Sequence, residues 1–161
     1  MFNSLKAIML RTFIALVSTL AFSNAFAHHG WSNFDETKPI YLEGVVKSVS
    51  WQNPHAEVTL EVNHAAPPAA ITRFAIPKQS AQVDAVTTLG TATAPARKDV
   101  LWQVEFAPLT RMNAWKIEPI KVGAKLAVVG YTLKGEKGAA ILRVEYLIGN
   151  GRVTPLRSAP Q

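Results

Sequence analysis

The chain has 161 residues, with 17 lysines and arginines, 11 acidic residues and no cysteine. Lacking cysteine, it can have no disulfide framework, thiolate zinc site or thiol nucleophile, so its fold must rest on an apolar core. The formal charge of +6 comes from residues spread along the chain, without the clustering that a nucleic-acid groove needs.

Residues 1–27 read as a secretory leader. Lys6 and Arg11 precede an apolar run, TFIALVSTLAF, and the segment ends Ala25-Phe26-Ala27. The run is shorter than the ~20 residues a spanning helix requires, so no stable membrane span is expected once the leader is cleaved. Cleavage after Ala27 makes His28 the first residue and places the protein in the periplasm or outside the cell. Residues 28–39 then form a polar, aromatic arm.

Ile40 to Trp51 is rich in Val, Ile and aromatic residues and reads as a strand, with Gly44 marking a bulge or sharp bend. Gln52-Asn53-Pro54 is a turn signal. In His55 to Val62, Ala56, Val58, Leu60 and Val62 alternate with polar residues, as in a half-buried strand. From Asn63 to Lys98 the composition shifts to Ala, Pro and Thr. This stretch reads as an insertion of low order, with Ile71 to Ile76 a short strand inside it. Val100 to Phe106 is a third strand. Pro108 to Trp115 places Leu109, Met112 and Trp115 at three-residue steps and predicts a short helix. Lys125 to Leu133 and Ala139 to Ile148 are the fourth and fifth strands, and Asn150-Gly151 can start a last hairpin. The fold class is therefore mainly β, a small five-stranded OB-like barrel over residues 40–155 with one short helix between strands 3 and 4.

All four histidines, His28, His29, His55 and His64, fall in the first part of the exported chain. A histidine at a free amino terminus differs from a lone surface imidazole, because the α-amine titrates at ~7.7–8.0 and yields its proton to a competing metal. Two copper chelates are open. In one, the amine and imidazole of His28 bind together with a distant imidazole such as His55. In the other, the His28 amine and the amide and imidazole of His29 make a flat chelate. Both give tetragonal nitrogen donors that favour Cu(II). Zn(II) on His28, His29 and His55 is the tetrahedral alternative. Asn53 and Pro54 would stiffen the corner from which His55 emerges, with Trp51 beneath it. Equally, these residues read as core, turn and strand end alone. Asp35 can orient a liganding imidazole, and Trp31 with Phe34 can pack the arm onto the barrel.

The motifs AHHGWSNFD and YLEGVVKSVSWQNPHAEVTLEV resemble a family of small exported bacterial proteins characterised only as a domain of unknown function. The family's pattern has A-H-H-S-F after the leader, an F-D-x-x-K-P step and a W-x-N-P-H corner. Here these are Ala27 to Trp31, Phe34 to Pro39 and Trp51 to His55, with Gly30 and Trp31 in place of serine and phenylalanine. GAKLAVVGYTLKGEKGAAILRVEYL resembles its closing strands. The resemblance implies a small β-barrel and export; it assigns no activity and no metal.

Three functions compete. The first is an exported Cu(II) buffer or carrier whose metal is held by the N-terminal histidine. The second is a metal-free interaction module that meets an exported protein partner through Trp31, Trp51, Trp102 and Trp115. The third is oxidative chemistry at a histidine-brace copper. The chain has no G-x-S-x-G, H-E-x-x-H or glycine-rich phosphate loop, which weighs against an enzyme without deciding the matter.

Overall fold

A computed structural model of the protein describes residues 31–161. The segment expected to be a leader and the pair His28 and His29 lie outside the described residues. Among the described residues there are six strands: β1 (Ile40–Trp51), β2 (Ala56–Val62), β3 (Leu101–Glu105), β4 (Lys125–Thr132), β5 (Ile141–Gly149) and β6 (Arg152–Pro155). Two short helices, α1 (Ala85–Gly90) and α2 (Leu109–Ala114), lie before β3 and between β3 and β4.

β1 pairs antiparallel with both β2 and β4, β2 with β3, and β4 with β5. β3 then meets β5 in parallel, from Gln103↔Ile141 to Glu105↔Arg143, and closes the ring. The result is the expected five-stranded OB-like barrel, with α2 between strands 3 and 4. β6 folds back on β5 through Asn150 and Gly151, both at positive φ (51° and 69°), as a two-residue hairpin turn requires.

The barrel interior holds Leu42, Val46, Val58, Leu60, Trp102, Val104, Val128, Leu142 and Val144, all buried. Met112 and Trp115 of the α2 region close one end of it, which explains their three-residue spacing. Two bulges interrupt the alternation. In β1 the register slips between Val46 and Ser48, and across β4 and β5 it slips between Val129 and Gly130. The inward positions therefore step from Val46 to Val49 and from Val144 to Leu147, three residues instead of two.

Segment 63–98 lies on the outside of the barrel. Ile71, Leu89 and Ala92 are buried there against Tyr41, Val129, Tyr146 and Val153, making a second apolar layer. Asp84 caps α1 by accepting from the Thr87 backbone N–H at 3.0 Å. The strand expected over Ile71 to Ile76 is instead a 3-10 turn, Ile71–Arg73. Its amides bond locally, Ile71 to Pro68 and Arg73 to Ala70, and only Ala75 reaches the sheet, as a single bridge to Arg152.

Gly44 marks a close approach rather than the β1 bulge itself, which lies two to four residues on. A Cβ at this position would overlap the Glu61 carbonyl and crowd the Val62 Cα, both of them backbone. Gly44→Ala should cost about 1–3 kcal/mol, the range for overpacking. It should appear as a lower urea midpoint with the slope unchanged. Gly149→Ala, where an added Cβ meets nothing within 4 Å, is the control expected to leave the midpoint in place.

Candidate functional site: the arm and the β2-β3-β5 face

Directly opposed strand residues share a face. β2 pairs with β3 at Glu57↔Glu105, and β3 with β5 at Glu105↔Arg143. These three side chains thus form one row across the outside of the barrel. His55 and Ala107 lie just beyond the ends of β2 and β3, and Glu145 sits at the bulge two residues after Arg143 in β5. The pairing of β2 with β3 persists that far, since the Phe106 N–H donates to the Ala56 carbonyl at 2.8 Å.

Within the row Arg143 and Glu105 pair with each other, while Glu57 accepts from the Gln103 side-chain amide at 3.1 Å. Arg143 donates to Glu105 Oε2 from Nε at 3.2 Å and from Nη2 at 2.8 Å, and Glu105 is buried. Against this pair lies the arm. The Arg143 guanidinium stands 4.3 Å from the centre of the Phe34 ring and 5.1 Å from that of Trp31. Phe34 is buried with Tyr131 and Ile141, with Trp31 packed at the margin of this cluster. The backbone joins in, because the Asp35 N–H donates to the Thr132 carbonyl at 2.9 Å.

Arg157, just beyond β6, makes the second anchor. Its Nε donates to Glu145 Oε2 at 2.8 Å and its Nη2 to Glu36 Oε2 at 2.7 Å. The central carbon of the same guanidinium lies over the Trp31 ring, 4.1 Å from its centre. Such cation–π contacts contribute about 0.5–2 kcal/mol each, more as water is excluded. The Glu145 side chain is fully buried, while that of Arg157 is 24% exposed. Glu145 Oε1 has no hydrogen-bond partner. Burial pushes the Glu145 carboxyl above the usual carboxylate range, outweighing the opposite pull of Arg157.

The residues expected from sequence fall as follows. His55 is half-buried at the corner after Asn53 and Pro54, both of them exposed. Trp51 is half-buried, its ring 6.4 Å from that of Phe106. Asp35 is occupied by its own turn. It accepts from the Thr37 hydroxyl at 2.6 Å and the Thr37 N–H at 3.2 Å, which holds its carboxyl below the usual range. Trp102 and Trp115 are core residues, which removes two of the four tryptophans from any contact surface. Among the described residues, no group of three or more His, Asp or Glu side chains stands close enough to hold a metal ion. No helix among them is long and apolar enough to cross a membrane.

Residues 15–100 match the model of a family of unknown function, DUF6152. The chain belongs to this family. No curated protein and no solved structure matches it. The stretch matched to DUF6152 contains the histidine pair, the arm, β1, His55 and segment 63–98, and it ends just before β3. The residues that fasten the arm, Glu105, Arg143, Glu145 and Arg157, all come from the remainder of this DUF6152 chain.

Sequence reasoning missed those four. The available signal was the break in β5 alternation, where Val144 and Leu147 face inward and Glu145 is left between them. A charged residue at a bulge is often aimed at a partner rather than at solvent.

Because burial raises the Glu145 pKa, the native protein binds more protons than the unfolded chain just above the ordinary carboxylate range. Stability should therefore fall as pH rises through that window. Glu145→Gln should flatten this part of the profile, as read from urea midpoints between about pH 4 and 8.

Proposed function

We propose that the protein is an exported Cu(II)-binding protein, a buffer or carrier whose mature form begins at His28. The metal is held by the His28 amine and imidazole together with His55, with His29 the nearest alternative donor. The observation that carries this reading is the docking of Trp31. It rests on Arg143, in the row that β2, β3 and β5 share, and on Arg157, which is bonded to Glu145 at the β5 bulge.

Strands lie about 4.8 Å apart and residues rise about 3.3 Å, so His55 stands on the order of 12 Å from the Arg143 position. The three residues from Trp31 back to His28 span up to about 10 Å. Together with the reach of an imidazole, this allows a new amino terminus to meet His55. Nitrogen donors from an amine and two imidazoles favour Cu(II) geometrically, and the chain contains no thiolate to draw a softer ion. The corner that carries His55 is continuous with two paired strands, so the imidazole starts from a stiff support.

Intact mass of the exported protein, with and without added copper, is the direct test. The expected result is a chain starting at His28 that takes up one copper. His55→Ala should weaken binding at least tenfold, and one glycine placed ahead of His28 should abolish the tight site. Binding should also weaken as pH falls through about 6.5, where protons compete for imidazole. A mature chain starting elsewhere, or no retained copper, overturns the reading. Loss with the added glycine but not with His55→Ala would move the site to the flat His28–His29 chelate.

A further inference from the structure

We propose that the arm from Trp31 to Pro39 is a pH-responsive strap: its Glu36 and the buried Glu145 share one guanidinium, that of Arg157, so the arm tightens on the barrel when Glu145 is neutral and loosens when Glu145 is charged. Arg157 Nε donates to Glu145 Oε2 at 2.8 Å and Nη2 to Glu36 Oε2 at 2.7 Å, with the Trp31 ring against the same group. Two carboxylates and an indole thus draw on a single positive charge. Every group in this arrangement lies among the described residues, and none of it requires a metal.

The geometry lets Glu145 change charge without losing its place. Its side chain is fully buried, and Oε2 is the oxygen bonded to Arg157. Oε1 has no hydrogen-bond partner, so a proton can sit there while Oε2 still accepts from Arg157. The neutral acid leaves the whole guanidinium charge to Glu36 and Trp31. The carboxylate takes up that charge itself and repels Glu36 as well. The coupling is reciprocal. Burial raises the Glu145 carboxyl most, Arg157 lowers it, and Glu36 raises it further. Arg157 belongs to the barrel, whereas Glu36 and Trp31 arrive with the arm. Closing the arm therefore favours a proton on Glu145, and closure strengthens as pH falls towards the ordinary carboxylate range.

The other groups that face Glu145 keep their charge state through this window. Arg111 of α2, which donates to the Leu156 carbonyl at 2.9 Å, stays charged. Tyr131 of β4 and Tyr146, beside Glu145 on β5, stay neutral, because burial raises both phenols and Glu145 raises them further. On the arm, Asp35 is held below the usual range by Thr37 and stays charged. What the strap covers is the seat of Phe34, buried with Tyr131 and Ile141. The bond from the Asp35 N–H to the Thr132 carbonyl ties the arm to β4, so this amide reports opening.

The test is amide hydrogen exchange of the full chain without metal between about pH 5 and 8, each rate divided by that of an unstructured amide at the same pH. Protection of the Asp35 N–H should fall about fivefold across this range in the wild type. Glu145→Gln should hold it at the acid level throughout, so that removing a buried charge tightens the arm. Glu36→Gln should give low, nearly flat protection. Carbon NMR of the Glu145 carboxyl supplies the reciprocal reading, a midpoint that falls in Glu36→Gln. A flat wild-type profile, a looser arm in Glu145→Gln than in the wild type at pH 8, or an unmoved midpoint in Glu36→Gln overturns the strap. Imidazoles titrate in the same range and remain in Glu145→Gln, so a pH profile that persists in that variant overturns it too. The wild-type profile and the Glu36→Gln midpoint decide the matter if Glu145→Gln fails to fold.

Discussion

The short parallel contact of β3 with β5 closes the barrel, and the proposed site depends on that closure. Without it, β2 with the His55 corner and β5 with Arg143 and Glu145 would be separated by β1 and β4 in an open sheet. With it, a continuous row runs from Glu57 through Glu105 to Arg143, and the arm settles against its far end. Parallel pairing demands a long crossover, and here the crossover carries α2, whose Met112 seals the interior. The same connection therefore shuts the core and sets the width of the outer face.

The two bulges have opposite consequences for that face. In β1 the extra residue, Lys47, points outward and pairs with Glu61 at 2.6 Å, an exposed contact that contributes little. In β5 the extra residue is Glu145, which the bulge turns into a buried position beside Tyr146. A carboxylate there has to be met by a cation, and Arg157 meets it. The carbonyl of Glu145 also accepts from the Leu156 N–H, which draws the chain after β6 across the bulge and brings Arg157 within reach. One irregularity in strand pairing thus sets the backbone path and the ion pair together.

Segment 63–98 covers the outer faces of β1, β4 and β5 and leaves β2 and β3 uncovered. Tyr41, Val129, Tyr146 and Val153 point outward and would be exposed without Ile71 and Leu89. Its covering role was hard to read because its apolar residues are single and widely spaced among Ala, Pro and Thr, with neither a two-residue nor a 3.6-residue period. Each one fills a site that the barrel surface creates. No local pattern can announce such a fit.

What the sequence by itself determined follows from local physics. Alternating apolar residues established the strands, the proline start and three-residue spacing established α2, and Asn150-Gly151 established the final turn. The residue pattern from Ala27 to His55 also pointed to a family of unknown function. The tertiary structure alone decided which charges matter. Glu36, Glu145 and Arg157 look like ordinary surface residues in a list, and Trp102 and Trp115 look as available as Trp31. Burial and pairing across 121 residues of chain separate them, because they depend on strand register, bulges and closure. Those properties belong to pairs of distant segments and to no single stretch.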